Sequence, residues 1–153
     1  MVGVMTKQSK ASEAVTCFGE GFNCAQSVFS TYCEEFGMDR KTALQVSCGL
    51  GAGLGRLQGT CGAVTGACLL IGLKHGGVSK DGGAAKESTY AKVQEFVALF
   101  EARNGTTSCR ELLGVDLLAA ERRTAAERVN SVCPKMVRDA AEIVEEILFA
   151  EEF

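Results

Sequence analysis

Of 153 residues only one is proline and one is histidine, and although the chain carries eight cysteines no two of them stand in a Cys-x-x-Cys spacing. The missing pair excludes a thioredoxin-type site and a zinc-ribbon knuckle. His75 follows Leu73 and Lys74 rather than Cys-x-x-Cys, which excludes covalent c-type haem by motif. A basic patch is lacking too. The net charge is −3, and lysines and arginines are scattered among acids without interleaved aromatics, which argues against nucleic acid. The longest strongly apolar run, Ala67–Leu73, falls far short of the ~20 residues a membrane span needs. Residues 1–16 lack the charged and apolar regions of a secretory signal, so the expected location is the cytoplasm, with no membrane association. No segment alternates with period two for long enough to predict a strand.

What is present is ordinary globular material, 46% hydrophobic and 23% charged. A chain of this length buries roughly 68–70% of its unfolded surface, so it needs no disulfides to replace a core. Eight cysteines in a compartment that keeps thiols reduced point to metal binding or redox chemistry rather than a disulfide framework.

Residues 1–5 read as a frayed start. The spacing of Ala11, Ala14, Val15 and Phe18 predicts a helix from about Ser9 to Gly19. Asn23 with Gln26 three residues on is a capping box, and opens a helix with Cys24 at its start and Val28, Phe29, Tyr32 and Phe36 on one stripe. Asp39 caps a third helix through about Cys48, with Ala43, Leu44 and Val46 available for burial. After a glycine loop, Thr60 to His75 predicts a central buried helix, apolar nearly all round. Ala84–Arg103 follows, with Tyr90, Val93, Phe96, Val97 and Phe100 on one face. Ser108 and Glu111 form a second capping box, which places Cys109 at a helix start. Residues 114–130 carry little pattern beyond a short helix from Thr124. Pro134 suits a first helical position, which makes Cys133 the N-cap residue of a last helix. The expected fold is an all-α, single-domain bundle of five to seven helices.

The densest signal is Gly49–Gly66, with seven glycines in eighteen residues. That much backbone freedom is useful where the chain bends sharply or lies close to something. With Thr60 as N-cap, the stretch delivers Cys61 to a first helical position, where a thiol pKa can fall from about 8.5 to roughly 3.5–7.5. Cys24, Cys61, Cys109 and Cys133 then all sit at predicted helix starts, a set suited to a metal, an iron–sulfur centre or reversible disulfides. The plain alternative is that cysteine is a small, commonly buried hydrophobe, and this reading fits Cys33 and Cys68 on apolar stripes best. Arg56 can meet an anion or a carboxylate, a solvated loop arginine being the default. The glycine loop matches neither Gly-x-Gly-x-x-Gly nor a Walker A pattern and follows a helix rather than a strand.

The succession Asn23-Cys-Ala-Gln26, Cys61-Gly-Ala-Val-Thr-Gly66, Cys109-Arg-Glu-Leu-Leu-Gly114 and Cys133-Pro134 resembles the bacterial family of redox-active proteins named C_GCAxxG_C_C, over about Ala14 to Leu148. The resemblance implies that the family's four cysteines fall on Cys24, Cys61, Cys109 and Cys133. It also implies a similarity to the iron–sulfur part of split-Soret cytochromes, and hence an iron–sulfur cluster as the cofactor. On this reading Cys61 and the glycine loop form a close backbone wall, with Gly59, Gly62 and Gly66 as the glycines facing the cofactor. The expected function is electron transfer through such a cluster or through thiol–disulfide cycling, with a larger oxidoreductase as partner. The alternative is a non-catalytic module in which the same four cysteines hold a structural zinc. A cysteine hydrolase is disfavoured, because the one histidine sits at a helix end without an orienting partner. A homodimer through the last helix is compatible with its amphipathic pattern.

Overall fold

The computed structural model describes residues 7–80 and 82–150; the expected frayed start over residues 1–5 lies outside them. Among the described residues seven right-handed α-helices follow in order: α1 (Ala11–Gly19), α2 (Cys24–Tyr32), α3 (Arg40–Ser47), α4 (Gly62–His75), α5 (Gly83–Asn104), α6 (Cys109–Leu113) and α7 (Arg122–Leu148). Among the described residues there is no strand; one isolated antiparallel bridge joins Thr60 to Ser108. The fold is the all-α bundle its sequence predicts.

Local chemistry sets most helix starts. Asn23 accepts the Gln26 N–H at 2.9 Å while the Gln26 side chain accepts the Asn23 N–H at 3.0 Å, so both halves of the capping box form. Asp39 accepts the Thr42 N–H at 2.9 Å, and Ser108 accepts the Glu111 N–H at 3.2 Å. Each such cap is worth roughly 1 kcal/mol.

The apolar helix α4 lies at the centre, packed most extensively on α2 and also on α5 and α7. Val28, Phe29 and Tyr32 of α2, Leu70 and Ile71 of α4, Phe96 and Phe100 of α5 and Val144 of α7 are all fully buried in one core. Burial of a side chain of this size contributes roughly 1.5–3 kcal/mol. Two residues expected in the core lie outside it: Val46 and Tyr90 are each 54% exposed.

The α2–α4 contact is close because α4 has no side chain where α2 crosses it. A Cβ on Gly66 would stand 2.7 Å from the Ala25 carbonyl oxygen, and one on Gly62 would stand 3.2 Å from the Ala25 nitrogen and 3.3 Å from the Cys24 Cβ. Gly62 and Gly66 are therefore helix-packing glycines that bring the start of α2 onto the start of α4.

A larger departure concerns the last helix. A break near Cys133 is expected, yet α7 runs unbroken for 27 residues with Pro134 inside it. Proline removes the N–H that would bond the carbonyl four residues back and ordinarily disrupts a helix. Here that carbonyl belongs to exposed Asn130, where water can take the missing donor's place. Cys133 consequently lies in mid-helix and is not an N-cap.

Candidate functional site

The glycine-rich stretch folds into a turn of the unusual hand. Ala52 (φ 56°), Gly53 (66°), Leu54 (78°), Gly55 (56°) and Arg56 (69°) all have left-handed backbone, as does Gln58 (58°). The turn is closed by the Gly55 N–H on the Gly51 carbonyl (2.9 Å), the Gln58 N–H on that of Ala52 (3.1 Å) and the Gly59 N–H on that of Gly53 (2.8 Å). For a residue with a Cβ this conformation costs roughly 1–2 kcal/mol, so four non-glycine residues held there mark a segment fixed by its surroundings.

Gln58 is the main anchor. It is 6% exposed, its amide NH2 donates to the Val115 carbonyl at 2.8 Å and its amide oxygen accepts the Leu117 N–H at 2.8 Å. The little-patterned stretch after α6 is thereby tied to the glycine turn. Beyond Gln58 the chain passes the Thr60–Ser108 bridge. The Cys61 N–H donates to the Thr107 carbonyl and the Cys109 N–H to the Gly59 carbonyl, both at 2.7 Å. Those two hydrogen bonds flank one bridge, and side chains alternate along extended backbone, so Cys61 and Cys109 project to the same face. The bridge holds Cys61 in a non-helical conformation (φ −50°, ψ 132°), so α4 starts one residue later than expected: Cys61 is the N-cap residue, and its carbonyl accepts from Val64 and Thr65.

Three of the four candidate cysteines are thus at helix starts, Cys24 and Cys109 as first residues and Cys61 as N-cap, while Cys133 reaches the same place from the middle of α7. All four line one cavity of about 90 Å³, closed by apolar side chains that include Leu113, Leu117 and Met136. Cys24, Cys61 and Cys109 are 6%, 5% and 6% exposed, and Cys133 is half-buried. On α7 the lining residues Val129, Val132, Cys133 and Met136 form one helical stripe. No charged side chain lines this cavity. Of the three glycines expected to face a cofactor, Gly62 is on the wall, Gly59 holds Cys109 through its carbonyl, and Gly66 is covered by α2.

Burial decides the thiol ionisation. The Cys61 thiol is pushed up to about 12 by desolvation, against the opposing N–H groups of Ala63 and Val64. Cys109 is raised to about 11, again by burial first and by the neighbouring Cys133 second, with Gln58 opposing. Cys24 is raised by its hydrogen bond with Cys133 and then by burial, and Cys133 is lowered by the same hydrogen bond. Of the four cavity thiols, Cys133 alone is lowered. The expected low-pKa thiolate at the start of α4 is overturned, since removal from water outweighs the helix end there.

The other four cysteines stand apart. Cys33 and Cys68 are raised by burial and pack in or against the core, Cys48 is exposed, and Cys17 lies against Ser30 (3.8 Å) and the Arg40 guanidinium (3.7 Å). Sequence reasoning missed Gln58 and Ala52, for which no local signal exists, and Met136, which the Val129–Val132–Cys133 spacing points to.

A family model described as "Putative redox-active protein (C_GCAxxG_C_C)" matches residues 22–147. The chain belongs to this family. No curated protein and no solved structure matches it. The C_GCAxxG_C_C match runs from the start of the α2 capping box to the last turn of α7 and so contains all four cavity cysteines. Among the described residues no helix is long and apolar enough to cross a membrane, and no group of three or more Cys, His, Asp or Glu side chains is drawn together tightly enough to hold a metal ion as the side chains stand.

Proposed function

We propose that this member of the C_GCAxxG_C_C family is a one-electron carrier whose Cys24, Cys61, Cys109 and Cys133 hold an iron–sulfur cluster of the two-iron type. The observation that carries the reading is the cavity itself: four thiols from four helices line one apolar space of about 90 Å³. An all-sulfur donor set selects iron–sulfur clusters or zinc over harder ions. The cluster, when bound, supplies one-electron redox chemistry. The chain's own part is to strip water from the sulfurs, to direct the N–H groups of Ala63 and Val64 toward Cys61, and to hold the Cys61 and Cys109 backbones through the Thr60–Ser108 bridge. Cys61 and Cys109, raised by burial, and Cys24, raised by Cys133 and then by burial, give up their protons only where positive charge offsets the cost, which iron provides and helix ends do not.

A second reading rests on Cys24 and Cys133 lining the same cavity, close enough to perturb each other's ionisation. Their oxidation to a disulfide would release two protons and pass two electrons to an acceptor such as another protein's disulfide.

The deciding experiment is iron, acid-labile sulfide and zinc content of anaerobically purified protein, with visible spectra before and after dithionite. Iron and sulfide in near-equal amounts, with a chromophore that bleaches on reduction and is lost in Cys61→Ser, is the expected result. Colourless, metal-free protein with a Cys24–Cys133 disulfide after mild oxidation would favour the second reading, and zinc alone would overturn both.

A further inference from the structure

Just outside the cysteine cavity, a groove of about 600 Å³ runs between the left-handed turn and the first turns of α7. Ala52, Leu117 and Val129 line both spaces, so a single layer of side chains divides the groove from the thiols. Two arginines line the groove, Arg56 from the turn and Arg122 from the start of α7, and no acid does. Among the described residues neither has an ion-pair or hydrogen-bond partner. The chain is net negative, so two unpaired cations at this one spot are a local reversal of its charge.

The rim is apolar. Leu54 (56% exposed), Leu57 (70%) and Leu118 (68%) are among the most exposed large hydrophobic side chains of the protein. Leu54 and Arg56 are both held in left-handed backbone that a side chain disfavours. A strained segment that projects leucine and arginine toward solvent, beside the wall of a redox site, has the composition of a contact surface, in which arginine and apolar anchors are over-represented. A small-molecule site would bury most of its ligand's surface; this groove is open, with Leu118 on its wall still 68% exposed and Leu54 and Leu57 exposed beside Arg56 on the same turn, a spread that only a broad partner covers.

We propose that this face docks an acidic electron-carrier protein, whose carboxylates meet Arg56 and Arg122 while its apolar rim seats on Leu54, Leu57 and Leu118. The proposal rests on the one-electron reading above and adds the partner's chemistry and the point of entry. One electron crosses the Ala52–Leu117–Val129 layer, so that one centre is oxidised and the other reduced, with no bond made or broken. Electron-transfer contacts are small and transient, and complementary charge mainly speeds their encounter.

The test is an NMR titration of the ¹⁵N-labelled full chain with two oxidised carriers, an acidic two-iron ferredoxin and an acidic flavodoxin, at about 10 mM ionic strength, where surface charge is little screened. Amide shifts are expected over residues 52–58 and 117–130 with at least one carrier, abolished by about 0.5 M salt. The double variant Arg56→Glu/Arg122→Glu is expected to weaken binding about tenfold or more. Glu at position 122 is favourable at a helix start, so the variant keeps its fold. Leu118→Ser tests the rim without altering charge and is also expected to weaken binding. No shifts with either carrier, or shifts confined to another face, overturn the proposal. Equal perturbation of these amides by inorganic phosphate would replace it with a small-anion site, and a concentration-dependent dimer that covers them would replace it with self-association. Oxidised carriers bind without transferring an electron. Docking on cluster-free protein would therefore uphold this inference even if the cluster reading failed, and a dithionite-reducible cluster without docking would overturn this inference alone.

Discussion

Replacement of Gly53 by alanine should damage both stability and the cysteine site, by an amount the structure allows to be worked out. Gly53 has φ +66°, and an added Cβ would stand 2.6 Å from the Gln58 Cα, 2.7 Å from the Gly59 nitrogen and 2.7 Å from the Cys109 Cβ. Two of these atoms are backbone and the third is fixed to it, so no flexible side-chain end can swing away. The left-handed conformation alone adds roughly 1–2 kcal/mol, and forced overpacking adds roughly 1–3 kcal/mol, for a loss of about 2–5 kcal/mol. In a chain of this length each kcal/mol moves Tm by about 2–4 °C. Gly55 supplies the control: its φ is +56° and an added Cβ meets nothing within 4 Å, so Gly55→Ala carries only the backbone share. Thermal melts of both variants by far-ultraviolet circular dichroism should place Gly53→Ala at least about 2–4 °C below Gly55→Ala. Iron and sulfide content should fall in Gly53→Ala alone, since the clash displaces Cys109. Equal melting temperatures with equal metal content would refute the claim that the turn is packed on Cys109.

Three further outcomes follow from other parts of the molecule. Glu145 Oε1 accepts hydrogen bonds from the Tyr32 hydroxyl (2.6 Å), the Ser9 hydroxyl (3.0 Å) and the Lys10 N–H (2.7 Å); Glu145→Ala leaves the buried Tyr32 hydroxyl unmet and should remove about 1–3 kcal/mol in urea denaturation, with Glu145→Gln retaining part of it. Pro134→Ala restores the N–H that would bond the Asn130 carbonyl; because water already serves that exposed carbonyl, Tm should rise by only roughly 2–4 °C, equivalent to about 1 kcal/mol, and a lowered Tm in thermal melts would refute this. In cluster-free protein, Cys61 at about 12 and Cys109 at about 11 hold their protons more tightly folded than unfolded, where the ordinary value is 9.0. Their contribution to stability is therefore whole below pH 9 and is lost as the pH rises through 11 to 12; melts across this range should show the decline, and Cys61→Ala should flatten it.

What was legible in the sequence is what short-range chemistry decides. Asn23 and Gln26 cap each other across three residues, and Asp39 and Ser108 do the same work with one hydrogen bond each, so those helix starts could be read directly. Cys133 shows where local reading fails. Pro134 suits a first helical position, but Val129, Val132, Cys133 and Met136 repeat with helical spacing through it. The apolar stripe, turned onto the cysteine cavity, decided the outcome, at an exposed carbonyl where the missing hydrogen bond costs least. Thr60 failed for the opposite reason: a bridge to Ser108, forty-eight residues away, took the Cys61 N–H, and no local pattern records so distant a partner.

The convergence of the four cysteines was legible as a set, but the reason for it was not. A helix end alone, without the neighbouring cations or metals behind the lowest thiol values, is worth roughly 0.3–1 kcal/mol to a thiolate and about 2 kcal/mol at most. The structure places Cys61 where its ionisation moves from 9.0 to about 12, which at 1.36 kcal/mol per pH unit is a net penalty of about 4 kcal/mol. Burial wins, and Cys24 and Cys109 are raised with it. Only Cys133 is lowered, through its hydrogen bond with Cys24 rather than through any helix end. Thiols placed in this way gain nothing as free nucleophiles, because the water exclusion that raises them also shields them from attack on a partner. They become useful where a cationic guest offsets the burial, and then the same exclusion of water strengthens every sulfur-to-cation interaction. The glycine turn, the Thr60–Ser108 bridge and the helical stripe of α7 are on this view one device: they keep four sulfurs in a dry place while Ala52 leaves the outside only one side chain away.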